Sequence, residues 1–292
     1  MQNKQIVEIL RIANREALET RRMKNIERSA PLNPFELAAS MGASIRFKDA
    51  KTLEGMFARE PAPTIFLPCT KHRPFGRICF SCAHELGHLQ LGHVVSVDKV
   101  GEVIDRDNLK ERAADSFAGW LLMPRQAVTS AFERRKCQPS ITAPEILMTI
   151  SNELNVSLDA LAYHMSISLK LTDNDWLEKC LRIQPKKIIE RIIGEEYRRR
   201  TVFVDSVWKS EILDVEVDDR IVIDDLGFHP TDEDWFVRLN AVREHNRTRV
   251  VLAPRCVGTW VIRNYDFEIR VRVAPRNFCG LYRYRFLQQE ED

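Results

Sequence analysis

The stretch Phe80–His93, FSCAHELGHLQLGH, holds three histidines and a glutamate within ten residues. An α-helix advances about 100° per residue, so His84 and His88 lie about 40° apart on successive turns and both imidazoles can reach one metal ion. Glu85 is displaced by about 100° from His84 and projects beside such an ion, where a carboxylate can take a proton from water. The pattern is HExxH, two ligands and a base. Two histidines would serve equally as the polar edge of a core helix, so a third ligand decides the reading.

Glu111 and Asp115, in ERAAD, are four residues apart and share a helix face. Glu111 completes a His2Glu zinc set with one position left for water, and Asp115 can accept the outward ring N–H of a ligating histidine. Ala113, Ala114 and Ala118 with Phe117 make the surrounding surface small and apolar, which suits close helix packing. His93 is the competing third ligand. It misses HExxHxxGxxH by one residue, has Leu91 at the glycine position and follows the helix terminator Gly92, so Glu111 is preferred and His93 is expected near the site rather than on the ion.

At 292 residues the chain is long enough for two modest domains. With 44% hydrophobic and 29% charged residues it is neither disordered nor fibrous, and a net charge of +2 argues against a protein built mainly to bind nucleic acid. No apolar run approaches the roughly 18–20 residues a membrane helix needs. The N-terminal MQNKQIVEILRIANREALETRR reads as an amphipathic helix rather than a signal peptide. Seven scattered cysteines fit a reducing compartment, so a cytoplasmic location is expected. Cys79 and Cys82 have zinc-ribbon spacing, yet no second CxxC follows, and helix packing is the expected role.

Asn33-Pro34-Phe35-Glu36 reads as an N-cap and capping box, and Thr142-Ala-Pro-Glu145 as a second one. Ala43–Phe47 predicts a strand, and Pro63–Leu67, bounded by prolines, an edge strand. Helices are expected from Phe75 to Leu91 and from Asp107-Asn108 to Pro124, with Ser157 capping another. From Thr201 the period changes to alternation; 267–273 and 282–286 read as half-buried strands of an antiparallel domain. The acidic stretch Asp214–Asp234 and the arginine-rich Arg243–Arg285 are expected to be solvated faces. The fold class is α+β: 1–170 a mostly helical domain with a small sheet, including a helix-turn-helix-like segment at 142–166; 171–200 a charged helical connector; 201–292 a β-rich sensor or interaction domain.

The ordered runs NPFELAASMG, LEGMF, PTIFLP, RICFSCAHELGHLQLGH and ERAADSFAGWLLMP, from Asn33 to Pro124, resemble the ImmA/IrrE family of metallopeptidases. The resemblance implies a zincin-like protease with zinc, or alternatively manganese, on His84, His88 and Glu111 and with Glu85 as base. It also implies a helix-turn-helix repressor as substrate in a stress-response, mobile-element or defence circuit. His229–Trp235, HPTDEDW, resembles the loop of chagasin-like inhibitor domains, which implies an immunoglobulin-like sandwich. Oxyanion donors are sought among His93, Tyr163 and His164, and substrate pairing along Thr64–Leu67. Two rival readings are a non-catalytic zinc protein that binds a repressor or toxin through its β-domain, and a DNA-binding regulator. LDALAYHM offers no basic side chain for the latter.

Overall fold

The computed structural model describes residues 2–93, 96–99, 109–193, 199–224, 229–230, 236–244, 247–263 and 267–287. The amphipathic N-terminus forms α1 (Gln2–Met23), which buries Ala13, Ala17 and Arg21. Arg21 donates to the Leu121 and Glu27 carbonyls at 2.7 Å each, fastening α1 to the end of a helix a hundred residues away. In α2 (Pro34–Ser40) the Asn33 side chain caps the amides of Phe35 and Glu36 at 3.0 and 3.3 Å. Glu36 accepts from Arg272 and from the Tyr282 hydroxyl.

Strands β1 (Ser44–Lys48), β2 (Leu53–Ala58), β3 (Thr64–Pro68) and β4 (Ser96–Lys99) follow, with α3 (Phe75–Gln90) between the last two. The expected edge strand is interior: β3 pairs in parallel with β1 and antiparallel with β2, and its prolines stand at the two ends, where they leave the ladder intact. Helix α3 ends as the glycine predicts, with Gly92 at φ +71° and the His93 amide donating to the His88 carbonyl at 2.9 Å.

After α3 come α4 (Leu109–Leu122), α5 (Arg125–Arg134), α6 (Pro144–Glu153) and α7 (Leu158–Tyr163). The expected start of α4 at Asp107-Asn108 lies outside the described residues. The second capping box does not form: Ala143 is the N-cap, and the Thr142 hydroxyl turns back to the Gln138 carbonyl at 2.5 Å. Ser157 does cap α7, accepting from the Ala160 amide at 3.1 Å. Leu147, Ile150, Leu158 and Leu161 of this helix pair are buried in the same core as Phe35, Ile65 and Phe117. The connector contains α8 (Asn174–Leu181) and α9 (Pro185–Ile193).

The C-terminal part comprises β5 (Thr201–Val204), β6 (Ile212–Glu216), β7 (Arg220–Asp224), β8 (His229–Pro230), β9 (Phe236–Glu244), β10 (Arg247–Pro254), β11 (Gly258–Arg263) and β12 (Glu268–Ala274). They form two four-stranded sheets, ordered β5-β7-β10-β9 and β6-β12-β11-β8. The β5–β7 and β12–β6 pairs are parallel and the others antiparallel; alternation specifies which face is buried, not strand direction. Residues 231–235 of the inhibitor-like loop lie outside the described residues.

Residues 280–287 depart from the expected strand. Only β13 (Gly280–Leu281) is extended, and it pairs antiparallel with β1, placing Gly280 opposite Phe47 and giving the first sheet the order β13-β1-β3-β2-β4. Tyr282–Tyr284 is a 3-10 turn in which Tyr282 and Arg285, three apart, are the buried pair.

Three residues of the acidic stretch are not solvated. Asp214, Glu216 and Asp219 are buried where the two parts meet. Arg272 grips both oxygens of Asp214 at 2.6 and 2.8 Å, and Asn33 donates to the same carboxylate at 2.9 Å. Glu216 accepts from the Thr70 hydroxyl at 2.7 Å and the Asn277 amide at 3.0 Å. Breaking a buried pair leaves an uncompensated charge. Arg272→Leu is therefore expected to lower the unfolding free energy by about 3–5 kcal/mol, read by urea denaturation.

Candidate metal centre

Helix α3 crosses α4 through its smallest residue. A Cβ on Gly87 would lie 3.1 Å from the Ala114 Cα, so glycine permits an approach that alanine would push apart. Ala113, Ala114, Phe117 and Ala118 bury the facing side of α4. At this separation a carboxylate one turn before Ala114 reaches the two imidazoles one turn apart on α3.

The three donors converge. His84 Nε2 and His88 Nε2 stand 2.9 Å apart, and Glu111 Oε2 is 3.2 Å from the first and 3.4 Å from the second. Donors about 2.0–2.1 Å from a tetrahedral zinc stand about 3.3–3.4 Å from one another, so this spacing and the N2O donor set fit zinc. Two ring nitrogens and a carboxylate oxygen meeting at one point without a cation would set lone pair against lone pair. Both histidines are buried and Glu111 is partly so.

The outward nitrogens of both rings are also engaged. His84 Nδ1 lies 2.9 Å from Asp115 Oδ1, which fixes the tautomer with its Nε2 lone pair inward. His88 Nδ1 lies 2.9 Å from His93 Nδ1. Burial, then the neighbouring His88, push His93 down to about 4, so its ring is neutral at pH 7 and can accept the His88 Nδ1–H. His93 thus touches a ligating ring and is not among the converging donors.

Glu85 is fully buried beside β2. Opposite it is Gly55, where a Cβ would fall 2.5 Å from Glu85 Oε1. This glycine was not singled out from the sequence; its signal is a lone Gly inside the strand pattern LEGMF, a mark of close approach. Of the oxyanion candidates, His164 is held elsewhere. It is buried, its Nε2–H donates to the Met123 carbonyl at 2.9 Å, and its ring stands edge-on to Trp120. Tyr163 is half exposed. Cys79 and Cys82 are buried among core side chains, as expected of packing residues.

Residues 36–166 match the family profile Peptidase_M78, the IrrE N-terminal-like domain. This part of the chain is similar to the ImmA/IrrE family. The matched segment runs from α2 through α7 and carries the whole His-His-Glu cluster, which supports a metallopeptidase-like domain. The β-rich residues 201–292 lie beyond the match. No curated protein matches the chain significantly. Among the described residues, no helix is long and apolar enough to cross a membrane.

Replacing Asp115 by Ala or His93 by Ala is expected to weaken zinc binding about 10–100-fold by releasing a ligand ring. Glu111→Ala, which removes a donor, should weaken it further. Competition against a chromophoric chelator reads all three.

Proposed function

We propose that the chain is a zinc-dependent endopeptidase with Glu85 as its catalytic base. We further propose that it cleaves a helix-turn-helix transcriptional repressor in a stress-response, mobile-element or defence circuit. The observation that carries this reading is the convergence of His84, His88 and Glu111, with the buried Glu85 carboxylate adjoining them on α3. A purely structural zinc site has no use for that carboxylate, which favours the peptidase over a non-catalytic zinc regulator.

His84, His88 and Glu111 would hold the ion, zinc or alternatively manganese, which when bound supplies Lewis acidity that brings the pKa of a bound water toward about 7. Glu85 takes the proton from the attacking water and returns it to the leaving amine nitrogen. Gly55 lets strand β2 pass close against that carboxylate, where a side chain would collide with it. Asp115 and His93 keep the two rings in the tautomer that points Nε2 inward.

Because β3 is interior, it cannot take an extended substrate along its edge. Strand β4, at the other end of the sheet from β13, offers a free backbone edge among the described residues, and its Asp98 stands opposite Gly55. A substrate strand added there would run one strand away from the one facing Glu85, gaining affinity from backbone hydrogen bonds. The inward packing of α6 and α7 supports this reading over a DNA-binding one.

Incubating the zinc-loaded chain with candidate helix-turn-helix repressors should yield discrete fragments by mass spectrometry. Glu85→Gln is expected to keep the metal and lose at least about 100-fold in cleavage rate. Gly55→Val should do the same by displacing Glu85. A Glu85→Gln protein that cuts at the parent rate would refute the assigned base, and tight complex formation without cleavage would point to the non-catalytic regulator.

A further inference from the structure

We propose that Asp49, Cys69 and His72 form a second metal site, structural in role and selective for a borderline-soft divalent cation such as zinc. None of these residues lies on α3 or α4. Their donor atoms, a carboxylate oxygen, a thiol sulfur and a ring nitrogen, all lie within 4.8 Å of one another.

The backbone builds this cluster deliberately. The Cys69 amide donates to the Lys48 carbonyl at 2.9 Å, carrying the parallel β1–β3 ladder one step further and setting Cys69 beside Asp49. The His72 amide then donates to the Cys69 carbonyl at 3.0 Å, closing a tight turn that folds His72 back over the cysteine. Cys-x2-His on such a turn is a spacing that brings both side chains to one ion. His72 Nε2 faces Asp49 Oδ1, while Lys71 Nζ holds the other oxygen, Oδ2, at 2.9 Å and orients the carboxylate.

Sulfur decides the ion class. The Cys69 thiol is buried, with 1% of the residue exposed, and stands among nitrogen and oxygen donors. Mixed S, N and O donors suit zinc; magnesium and calcium take oxygen alone. Cys279 immediately precedes β13, and its thiol donates to the Asn277 carbonyl at 3.4 Å. A metal held by Asp49, Cys69 and His72 would release the Cys69 thiol proton to solvent and tie the ends of β1 and β3 together. Thr70, inside the same turn, already bonds Glu216 of the β-rich part.

The test uses the full chain, purified under reducing conditions and loaded with zinc or cobalt. Elemental analysis should find two zinc ions per chain, and one in the double variant His84→Ala, His88→Ala. In that double variant, cobalt should give a thiolate-to-metal charge-transfer absorption in the near ultraviolet, which a site of two histidines and a glutamate cannot produce. Cys69→Ser should abolish the band. Because Cys69 is buried and its replacement can unfold the chain, Asp49→Asn and His72→Gln, nearer the surface, provide a second arm and should each lower cobalt affinity at least tenfold. A single zinc per chain that vanishes with the two histidines would overturn the proposal. So would a cobalt form without the charge-transfer band, or a Cys69–Cys279 disulfide in the metal-loaded protein.

Discussion

The close crossing of α3 and α4 at Gly87 and Ala114 is the constraint on which the centre depends. A pair of imidazoles on one helix defines a direction but leaves coordination incomplete; a carboxylate from a second helix must arrive within a few ångströms. Side-chain reach is fixed, so the interhelical separation has to be small, and small residues are the means of achieving it. Glycine on one side and alanine on the other set that distance at 3.1 Å between the virtual Cβ and the facing Cα. Arg21 adds a clamp from outside, using guanidinium hydrogen bonds to tie α1 to the carbonyl end of α4.

The centre was legible because its signals are local. HELGH and ERAAD each occupy one helix, and helical period alone places their donors on usable faces. Asp115 and His93 followed from the same arithmetic. Gly55 was harder to see, since its meaning depends on a residue thirty positions away whose carboxylate it accommodates. Strand order was not legible: prolines around 63–68 suggest an edge equally well when they cap an interior strand. The capping box at Thr142 failed for a related reason, because its hydroxyl had a competing carbonyl at Gln138 within one turn.

The largest departure concerns charge. Asp214, Glu216 and Arg272 look like solvated strand residues because alternation leaves them on polar faces. Those faces meet the helical part. Strand β5 shows the geometry: Val202 and Val204 pack between the two C-terminal sheets, while Phe203 points into the core shared with α3 and α6. Strands β7 and β10 repeat this through Val222 and Val251. A sheet covered on both faces has no solvent side, and its polar residues must find partners across the boundary. Sequence pattern shows where a strand alternates, but not what covers its second face.

Strand β13 joins residues 280–281 to a sheet whose other members end by residue 99. On the ribosome, the outer neighbour of β1 emerges only after some two hundred further residues have been made. Until then β1 is an uncovered strand margin, a hazard for mispairing with other chains. Completion of this five-stranded sheet is thereby tied to arrival of the distal segment.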